Sequence, residues 1–152
     1  MNKIKNIGLV AHDACKNSMM EWVAFNAKRL SAHNLICTGT TGRLVEETLK
    51  TKFPNIKANI TKLKSGPLGG DQQMGALIAT DKLDILIFFT DPMTTQPHDV
   101  DIKALIRLST IANIVVACTR SSADFMISSP LFDAEYPIIK DNHEDYIARL
   151  VK

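Results

Sequence analysis

The sequence has few cysteines, few aromatic residues and no excess of charge of one sign. Of its 152 residues only three are cysteines and 6% are aromatic, while 18 Lys and Arg against 16 Asp and Glu give a net charge of +2. The number of cysteines is odd and no CxxC occurs, which excludes a disulfide framework and leads us to expect a reduced, cytoplasmic compartment. The near balance of charge argues against general binding to nucleic acid or to a membrane surface.

Long hydrophobic runs are missing as well. His12 and Asp13 interrupt the N-terminal apolar run, which leaves it too short for a signal peptide. No apolar stretch approaches the roughly 20 residues of a membrane span. The composition, 45% hydrophobic and 22% charged, is ordinary for a soluble globular protein. Since neither a linker nor a repeat is visible, the length predicts one domain over residues 1–152.

Short β-rich runs alternate with helical patterns along the chain. Strands are predicted at residues 7–11, 35–38, 56–63, 83–89 and 114–117, the third as an edge strand. Apolar residues at helical spacing predict helices over residues 17–30, 43–50, 71–80, 101–112, 122–128 and 142–150. Strands that are apolar throughout and separated by helices favour a parallel sheet covered on both faces. We therefore expect an α/β fold, a three-layer α/β/α sandwich around a mainly parallel sheet of about five strands.

Polar and glycine-rich segments follow four of the predicted strands. They are HDACK (12–16), TGTTG (38–42), SGPLGGDQQ (65–73) and TDPMTTQPHDVD (90–101). In open parallel sheets, ligands bind beyond the carboxyl ends of the strands. We therefore expect these four loops to share one rim of the sheet.

Two of these segments have features that suit a phosphate. TGTTG (38–42) supplies hydroxyls and unhindered backbone N–H groups that lead into a helix, whose N-terminus carries free donors and a positive dipole end. Lys16 follows His12 by one helical turn and could supply a cation. The alternatives are a plain turn with a threonine N-cap and a lysine on a solvated face. Neither a Walker A loop nor a GxGxxG motif occurs, so a dinucleotide is not supported.

Titratable residues in the other two segments could handle protons. Asp71 is predicted at the N-cap of its helix, behind two glycines that let a ligand approach the backbone. A carboxylate in that position could accept a proton, although aspartate is also simply a favoured cap. Asp91, His98, Asp99 and Asp101 all lie within eleven residues that follow the strongest strand, which favours chemistry there. The alternatives are that Asp99 or Asp101 caps a helix and that His98 is an ordinary surface histidine.

The cysteines give little support to a metal site or a nucleophile. His12 and Cys15 have a spacing found in metal sites, but no second Cys/His pair accompanies them, so no metal is predicted. Cys15 could act as a nucleophile. Free cysteine is more often a small buried hydrophobe, and Cys37 and Cys118 fit that description too.

Taken together and in order, the four segments resemble methylglyoxal synthase. The matching stretches are VAHDACK (10–16), TGTTG (38–42), SGPLGGDQQ (65–73) and FFTDPMTTQPHDVDIKALIR (88–107), and the resemblance covers nearly the whole chain. It implies a carbon–oxygen lyase of the glycolytic bypass that converts dihydroxyacetone phosphate to methylglyoxal and inorganic phosphate, without a cofactor or a metal. It also implies a homohexamer that inorganic phosphate inhibits.

The resemblance further implies roles for particular residues. Asp71 resembles the family's catalytic base, and His98 and Asp101, with Asp91 nearby, resemble the groups that handle the substrate oxygens. The residues that resemble the family's substrate and phosphate contacts are His12, Lys16, Thr38, Gly39, Thr40, Thr41, Ser65, Gly66 and His98. A C-terminal arginine of the family, here Arg149, is implied as a further contact to the phosphate.

Two other readings fit parts of the sequence. The main one is a non-catalytic regulatory domain that binds a small phosphorylated ligand, since the same fold serves that purpose in carbamoyl phosphate synthetase. Separately from these alternatives, the stretch CTRSSAD (118–124) departs from the family's pattern, which is closer to TNxATAD there, and this departure concerns the rim after the last strand. The other reading, a phosphotransfer receiver or flavodoxin-like protein, shares the alternating pattern. A receiver needs an early acidic cluster, whereas Asp13 stands alone after the first strand.

Overall fold

Five parallel strands form the centre of the fold. The computed structural model describes residues 1–95 and 97–140. Its strands are β1 (Asn6–Ala11), β2 (Asn34–Cys37), β3 (Asn59–Lys62), β4 (Ile85–Phe89) and β5 (Val115–Ala117). They lie in the order β3-β2-β1-β4-β5 and every neighbouring pair is parallel, which confirms the predicted sheet and the predicted edge position of β3. The chain runs outward from β1 to β3 and then returns to the other side of β1, so the strand order reverses between β1 and β4.

Helices cover both faces of this sheet. They are α1 (Lys16–Phe25), α2 (Ala27–Leu30), α3 (Gly39–Lys52), α4 (Gly70–Ala79), α5 (Asp99–Ile111) and α6 (Arg120–Ser128). Two short 3₁₀ turns, Asp13–Cys15 and Gly66–Leu68, precede α1 and α4.

Alternate residues of β1 enter two separate hydrophobic cores. Leu9 belongs to the core that contains Trp22 of α1 and further residues of α2, α3 and α6. Val10 belongs to the other core, together with Met74 of α4 and Leu105 of α5. This alternation is what a strand with period two requires when both faces are covered. The three-layer α/β/α arrangement predicted from the sequence is therefore confirmed.

The helix predicted over residues 17–30 is in fact two helices. The break lies at Asn26, where the backbone N–H and the side-chain Nδ2 both donate to the carbonyl oxygen of Trp22, the latter at 2.9 Å. Asparagine side chains compete for backbone groups in this way, which explains why an apolar periodicity that continues through residue 30 does not produce one helix.

Each of the five predicted helices that the structure describes begins one to four residues earlier than predicted. The helix predicted over residues 43–50 begins at Gly39, so that most of TGTTG is helical. Asp71 is not an N-cap, because Gly69 occupies that position with a φ of 97° and Asp71 lies in the first turn of α4. Neither Asp99 nor Asp101 caps α5 either, since the N-cap is His98. The predicted helix over residues 142–150 and Arg149 lie outside the described residues. None of the described helices has the length and apolar character needed to cross a membrane.

Candidate active site

A cavity of about 230 Å³ opens at the carboxyl ends of the strands, where the strand order reverses. Ligands of open α/β sheets bind in this crevice. The residues that line it are Val10, Ala11, His12, Asp13, Lys16, Thr38, Thr40, Thr41, Ser65, Gly66, Pro67, Asp71, Phe88 and His98. All four loops that the sequence places on one rim thus contribute to the cavity.

The end of β1 holds His12 in a defined orientation. The backbone N–H of His12 donates to the carbonyl oxygen of Phe89 at 3.1 Å, which extends the pairing of β1 with β4 by one residue. The backbone N–H of Asp91 donates to Nδ1 of His12 at 2.9 Å. Because Nδ1 accepts, the ring proton of neutral His12 is on Nε2. Burial lowers the pKa of His12, and the nearby His98 lowers it further, so the neutral form is favoured.

Asp71 and His98 form a close pair in the same cavity. Nδ1 of His98 lies 2.7 Å from Oδ2 of Asp71, and the Asp71 side chain is only 2% exposed. The distance is that of an ion pair, but the two atoms do not meet the angular requirements of a hydrogen bond. Neither atom therefore has a hydrogen bond among the described residues. A Cβ atom at Gly66 would lie 3.0 Å from Oδ2 of Asp71 and 3.1 Å from Cε1 of His98, so a side chain there would crowd both groups.

Four buried polar atoms converge on this cavity without a hydrogen-bond partner among the described residues. They are Nε2 of His12, Oδ1 and Oδ2 of Asp71 and Nδ1 of His98. Buried polar atoms are nearly always satisfied, because an unpaired one costs about 1–3 kcal/mol. Two of the four, Oδ2 of Asp71 and Nδ1 of His98, face each other at 2.7 Å, whereas Nε2 of His12 and Oδ1 of Asp71 have no close partner among the described residues. A free donor and a free acceptor in one buried cavity are typical of a site for a polar ligand.

The N-terminus of α3 supplies backbone donors to the opposite side of the cavity. Of its first N–H groups, that of Gly39 donates to the carbonyl oxygen of Lys64 at 3.0 Å and that of Gly42 to Thr38 at 2.8 Å. The N–H groups of Thr40 and Thr41 have no partner within residues 1–95 and 97–140. Two free donors at a positive helix end suit an anion such as phosphate.

Lys16 brings a positive charge to this part of the cavity. Its side chain is 19% exposed, and its ammonium group pairs with the carboxylate of Asp13, whose pKa is lowered by that hydrogen bond. Asp13 itself is almost fully exposed. A phosphate bound at α3 would therefore compete with a weakly held surface carboxylate for Lys16.

The comparisons with known proteins agree with this geometry. A family model described as MGS-like domain matches residues 18–118. The chain is 49% identical to a methylglyoxal synthase of Maridesulfovibrio salexigens, over 98% of this chain and 99% of the relative. It is 51% identical to that of Proteus mirabilis, over 97% and 93%. The crystal structure of methylglyoxal synthase from Elizabethkingia anophelis NUHP1 superimposes with a TM-score of 0.86 at 46% identity, over 97% of this chain and 92% of that one.

The chain belongs to the methylglyoxal synthase family. It is an enzyme of that family, a lyase, with a single-domain fold that its structural relative shares.

Two of the carboxylates assigned by the family resemblance do not line the cavity. Asp91 accepts the backbone N–H of Met93 at 2.9 Å, and hydrogen bonds from Thr94 and Met93 lower its pKa. Its contribution to the cavity is its backbone N–H, which binds His12. Asp101 lines a neighbouring groove of about 280 Å³ between α4 and α5, which it shares with Asp71. Its own backbone N–H donates to the carbonyl oxygen of His98 at 2.9 Å.

Some features of the cavity were not predicted from the sequence. Pro67 and Phe88 line it, and Asp13 stands at its edge as the counter-ion of Lys16. The ring of Phe88 packs against the ring of His12, with ring centroids 5.0 Å apart. Pro67 also lies in the 3₁₀ turn Gly66–Leu68 and Phe88 is fully buried in a core, so residue type alone gives no signal for a second role at the cavity.

The remaining sequence features lie away from the cavity. In the part of the chain that the structure describes, no residue of CTRSSAD (118–124) lines it, and Arg120 instead pairs with Glu21 of α1 at 2.9 Å. The departure from the family's pattern is therefore outside the site. Burial raises the pKa of Cys15 and raises that of Cys37 to about 12, which disfavours a thiolate at either position. Groups of three or more His, Cys, Asp or Glu that could hold a metal ion do not occur among the described residues.

Proposed function

We propose that this chain converts dihydroxyacetone phosphate to methylglyoxal and inorganic phosphate. The observation that carries the proposal is the Asp71 carboxylate, which is 2% exposed, pairs closely with His98 through Oδ2 and has no partner at Oδ1 among the described residues, in the cavity that also contains the free N–H groups of α3. One part of such a site can remove a proton while the other holds a phosphate. Elimination of phosphate from a triose phosphate through an enediolate needs both a base for the proton and donors for the phosphate.

In the first step, Asp71 takes a proton from the hydroxymethyl carbon next to the ketone. The electron pair of that C–H bond becomes the carbon–carbon double bond of an enediolate, and the carbonyl oxygen takes up the negative charge. The Nε2–H group of His12 and the ring of His98 supply donors for that oxygen. Donors that are already oriented before the charge develops are worth a factor of about 10²–10³ in rate each.

In the second step, the enediolate expels the phosphate. The hydroxyl group of the former hydroxymethyl carbon gives up its proton to the departing phosphate and becomes the aldehyde carbonyl, the carbon–carbon double bond shifts to the third carbon, and the C–O bond to the phosphate breaks. The enolate of methylglyoxal that remains takes back, on its terminal carbon, the proton that Asp71 removed and becomes the methyl ketone. Three groups favour the departure of the phosphate because they stabilise its negative charge. They are the backbone N–H groups of Thr40 and Thr41, the loop at Ser65 and Gly66, and the ammonium group of Lys16. Thr38 and Gly39 belong to the same phosphate-binding part of the cavity. Thr38 lines the cavity, and Gly39 is the first residue of α3.

Asp91 and Asp101 are included in the proposal as supporting groups. Their carboxylates lie outside the cavity, so we assign them a part in holding His12 and His98, through the backbone contacts described above. Arg149 stays a prediction as a further phosphate contact, since it lies outside the described residues. One domain over residues 1–152, a homohexameric assembly, a cytoplasmic location and a place in a glycolytic bypass are likewise predictions. Light scattering on the purified chain tests the assembly.

The decisive experiment compares the purified chain with Asp71→Asn. With dihydroxyacetone phosphate as the only addition, we expect the unchanged chain to release equal amounts of dicarbonyl and inorganic phosphate. Asp71→Asn keeps size and shape but cannot take the proton, so turnover should fall by several orders of magnitude while substrate binding and the unfolding midpoint stay close to those of the unchanged chain. Near-normal turnover in the variant would rule out Asp71 as the base.

A chain that binds dihydroxyacetone phosphate but releases neither product would instead be a regulatory domain. We also propose that added inorganic phosphate inhibits the enzyme, because a cradle for the leaving group also binds the free product. Activity that stays constant as phosphate is added at fixed substrate contradicts this part of the proposal.

A further inference from the structure

The loop that carries Ser65 and Gly66 is joined to two helices through one peptide unit, that of Lys64. Its carbonyl oxygen accepts the N–H of Gly39, the first residue of α3, at 3.0 Å. Its N–H donates to Oε1 of Gln73, which lies in α4, at 2.8 Å. The two helices that line the phosphate side and the acid–base side of the cavity are thus connected through Lys64.

The side chain of Gln73 accepts a backbone N–H that has no strand partner within residues 1–95 and 97–140. Lys64 follows β3, which is the edge strand of the described sheet, and the pairing with β2 continues only as far as the N–H of Leu63, which donates to Cys37 at 2.8 Å. Beyond that point the chain must turn away to reach Ser65. Lys64 and Gln73 are both exposed, so water could also accept this N–H, but Gln73 fixes its direction because the acceptor is held on α4.

The packing around this contact leaves little room for adjustment. A Cβ atom at Gly39 would lie 2.7 Å from the backbone nitrogen of Ser65, and one at Gly70 would clash with the carbonyl oxygen of Lys64. The N–H of Gly70 also donates to the carbonyl oxygen of Ser65 at 2.9 Å. A shift of the Lys64 peptide therefore moves Ser65 relative to the free N–H groups of α3.

We propose that Gln73 is a positioning residue for the phosphate-binding loop, which it holds against α3 through the Lys64 N–H. Its side chain does not line the cavity. Losing it should therefore weaken the binding of phosphate and phosphorylated substrate more than it slows the chemical step. This inference rests on the proposed function for its ligand, but its structural part concerns the loop alone.

The test compares Gln73→Met, Gln73→Glu and a matched control, Gln72→Met. Methionine has nearly the length of glutamine without the acceptor oxygen, whereas glutamate keeps an acceptor. Gln72 is the exposed neighbour on α4, and its side chain makes no hydrogen bond within the described residues. Three quantities are measured for each variant: the Kd of inorganic phosphate by calorimetry, KM and kcat with dihydroxyacetone phosphate, and hydrogen exchange at the Lys64 amide.

For Gln73→Met we expect the Kd of phosphate and the KM to rise about three- to tenfold, the net worth of one hydrogen bond, with kcat changed less than about twofold. The Lys64 amide should exchange about three- to tenfold faster for the same reason. Gln73→Glu should keep the protection of that amide, and Gln72→Met should behave as the unchanged chain in all three measurements.

The assignment of Gln73 is overturned if Gln73→Met leaves the phosphate Kd or the Lys64 exchange unchanged, or if kcat alone falls. It is also overturned if the unchanged chain binds no phosphate. Failure of the proposed reaction looks different: the unchanged chain then yields no methylglyoxal, while Gln73→Met still weakens phosphate binding and exposes the Lys64 amide.

Discussion

The two ring nitrogens of His12 have different tasks. Nδ1 accepts the backbone N–H of Asp91, and Nε2 is buried without a partner among the described residues. A neutral imidazole held in this way offers one N–H donor of fixed direction and no formal charge. Such a donor can stabilise a developing oxyanion without first attracting a carboxylate as its partner.

The pH dependence of activity should reflect this arrangement. Burial and the neighbouring His98 lower the pKa of His12, against the opposing effect of Asp91, Asp71 and Asp99. His12 therefore stays neutral from high pH down to its lowered pKa and gains a proton only below about pH 6.5, the ordinary value. That proton would occupy Nδ1 and break the bond from Asp91. We expect kcat/KM to fall on the acid side with a midpoint below pH 6.5.

His12→Asn separates this effect from the titration of other groups. Asparagine can accept the Asp91 N–H and donate into the cavity, but it does not titrate. Its kcat/KM should be lower at neutral pH and decrease less steeply between pH 6.5 and 5. An acid midpoint above pH 6.5 in the unchanged chain, or an identical acid limb in His12→Asn, contradicts the role given to His12.

At the residue scale, the sequence predicts chemistry that side chains perform, and little of what the backbone does. His98 could be picked out because a cluster of titratable groups after a buried strand is unusual, and Asp71 because two glycines precede it at a helix start. The contribution of Asp91 through its N–H could not, since the sequence does not reveal where a backbone amide points. The role of Gln73 could not be predicted beyond its place in the motif SGPLGGDQQ. Its hydrogen bond to the Lys64 N–H exists only because the loop after β3 packs against α4.

Among the elements, α4 is the one whose placement matters most for the site. It carries Asp71 in its first turn and packs against β1 where that strand has a glycine. A Cβ atom at Gly8 would lie 3.0 Å from Sδ of Met74 and 3.1 Å from Cδ1 of Leu86. The missing side chain at Gly8 thus allows α4 to approach the sheet closely and carry Asp71 to the end of β1.

We expect Gly8→Val to push α4 away from the sheet. Valine fits a strand well, but its two methyl groups need space that Met74 and Leu86 fill, and overpacking of this kind costs about 1–3 kcal/mol. Urea denaturation should show that loss in the free energy of unfolding, and kcat/KM should fall because Asp71 moves with its helix. Gly8→Ala is the graded comparison, since only the thioether of Met74 and one methyl group each of Leu86 and Leu83 must yield.

If Gly8→Val were as stable and as active as the unchanged chain, α4 would not depend on close contact with β1. A variant that loses stability but keeps kcat/KM would separate the packing of α4 from the position of Asp71.

The types and order of the elements were predictable, whereas several boundaries were not. Hydrophobic patterns indicated every described strand and its approximate limits: β1, β2 and β4 are continuous apolar runs because they are buried, whereas the edge strand β3 alternates apolar and polar residues. The start of α3 was missed because Gly39, Thr40 and Thr41 are poor helix formers that are held by the contact of Gly39 with Lys64. Asp71 was misplaced as a cap because the positive φ of Gly69 allows the helix to begin earlier.

For the molecule as a whole, the two ends of the sheet have different roles. The carboxyl ends of the strands form the cavity, while the amino ends carry a buried polar cluster that contains Lys5 and His33. The ammonium group of Lys5 donates to the carbonyl oxygens of Asn2 and Ala134. Nδ1 of His33 accepts the backbone N–H of Lys5 at 3.2 Å, and Nε2 lies 3.2 Å from Oδ1 of Asp133. The cluster connects the segment after α6 to the start of β1.

This cluster makes the stability of the molecule sensitive to pH. Burial lowers the pKa of His33 more than the neighbouring Asp133 raises it, and Lys5 and Arg29 lower it further. Below about pH 6.5 the unfolded chain therefore binds a proton that the folded chain does not, and the free energy of unfolding falls as the pH decreases, by at most about 1.4 kcal/mol per unit for this one group. The decrease ends below the lowered pKa, where both states are protonated.

Urea denaturation at pH 7.5 and 5.5, with the protein concentration held constant, measures this loss. In His33→Gln the side chain can still accept from Lys5 and donate to Asp133 but does not titrate, so less stability should be lost between the two pH values. His12 titrates in the same direction, since burial lowers its pKa also, and His12→Asn shows how much of the loss arises at the cavity instead. A loss that His33→Gln leaves unchanged and His12→Asn removes would place the pH sensitivity at the carboxyl end of the sheet and contradict the role of the Lys5–His33 cluster.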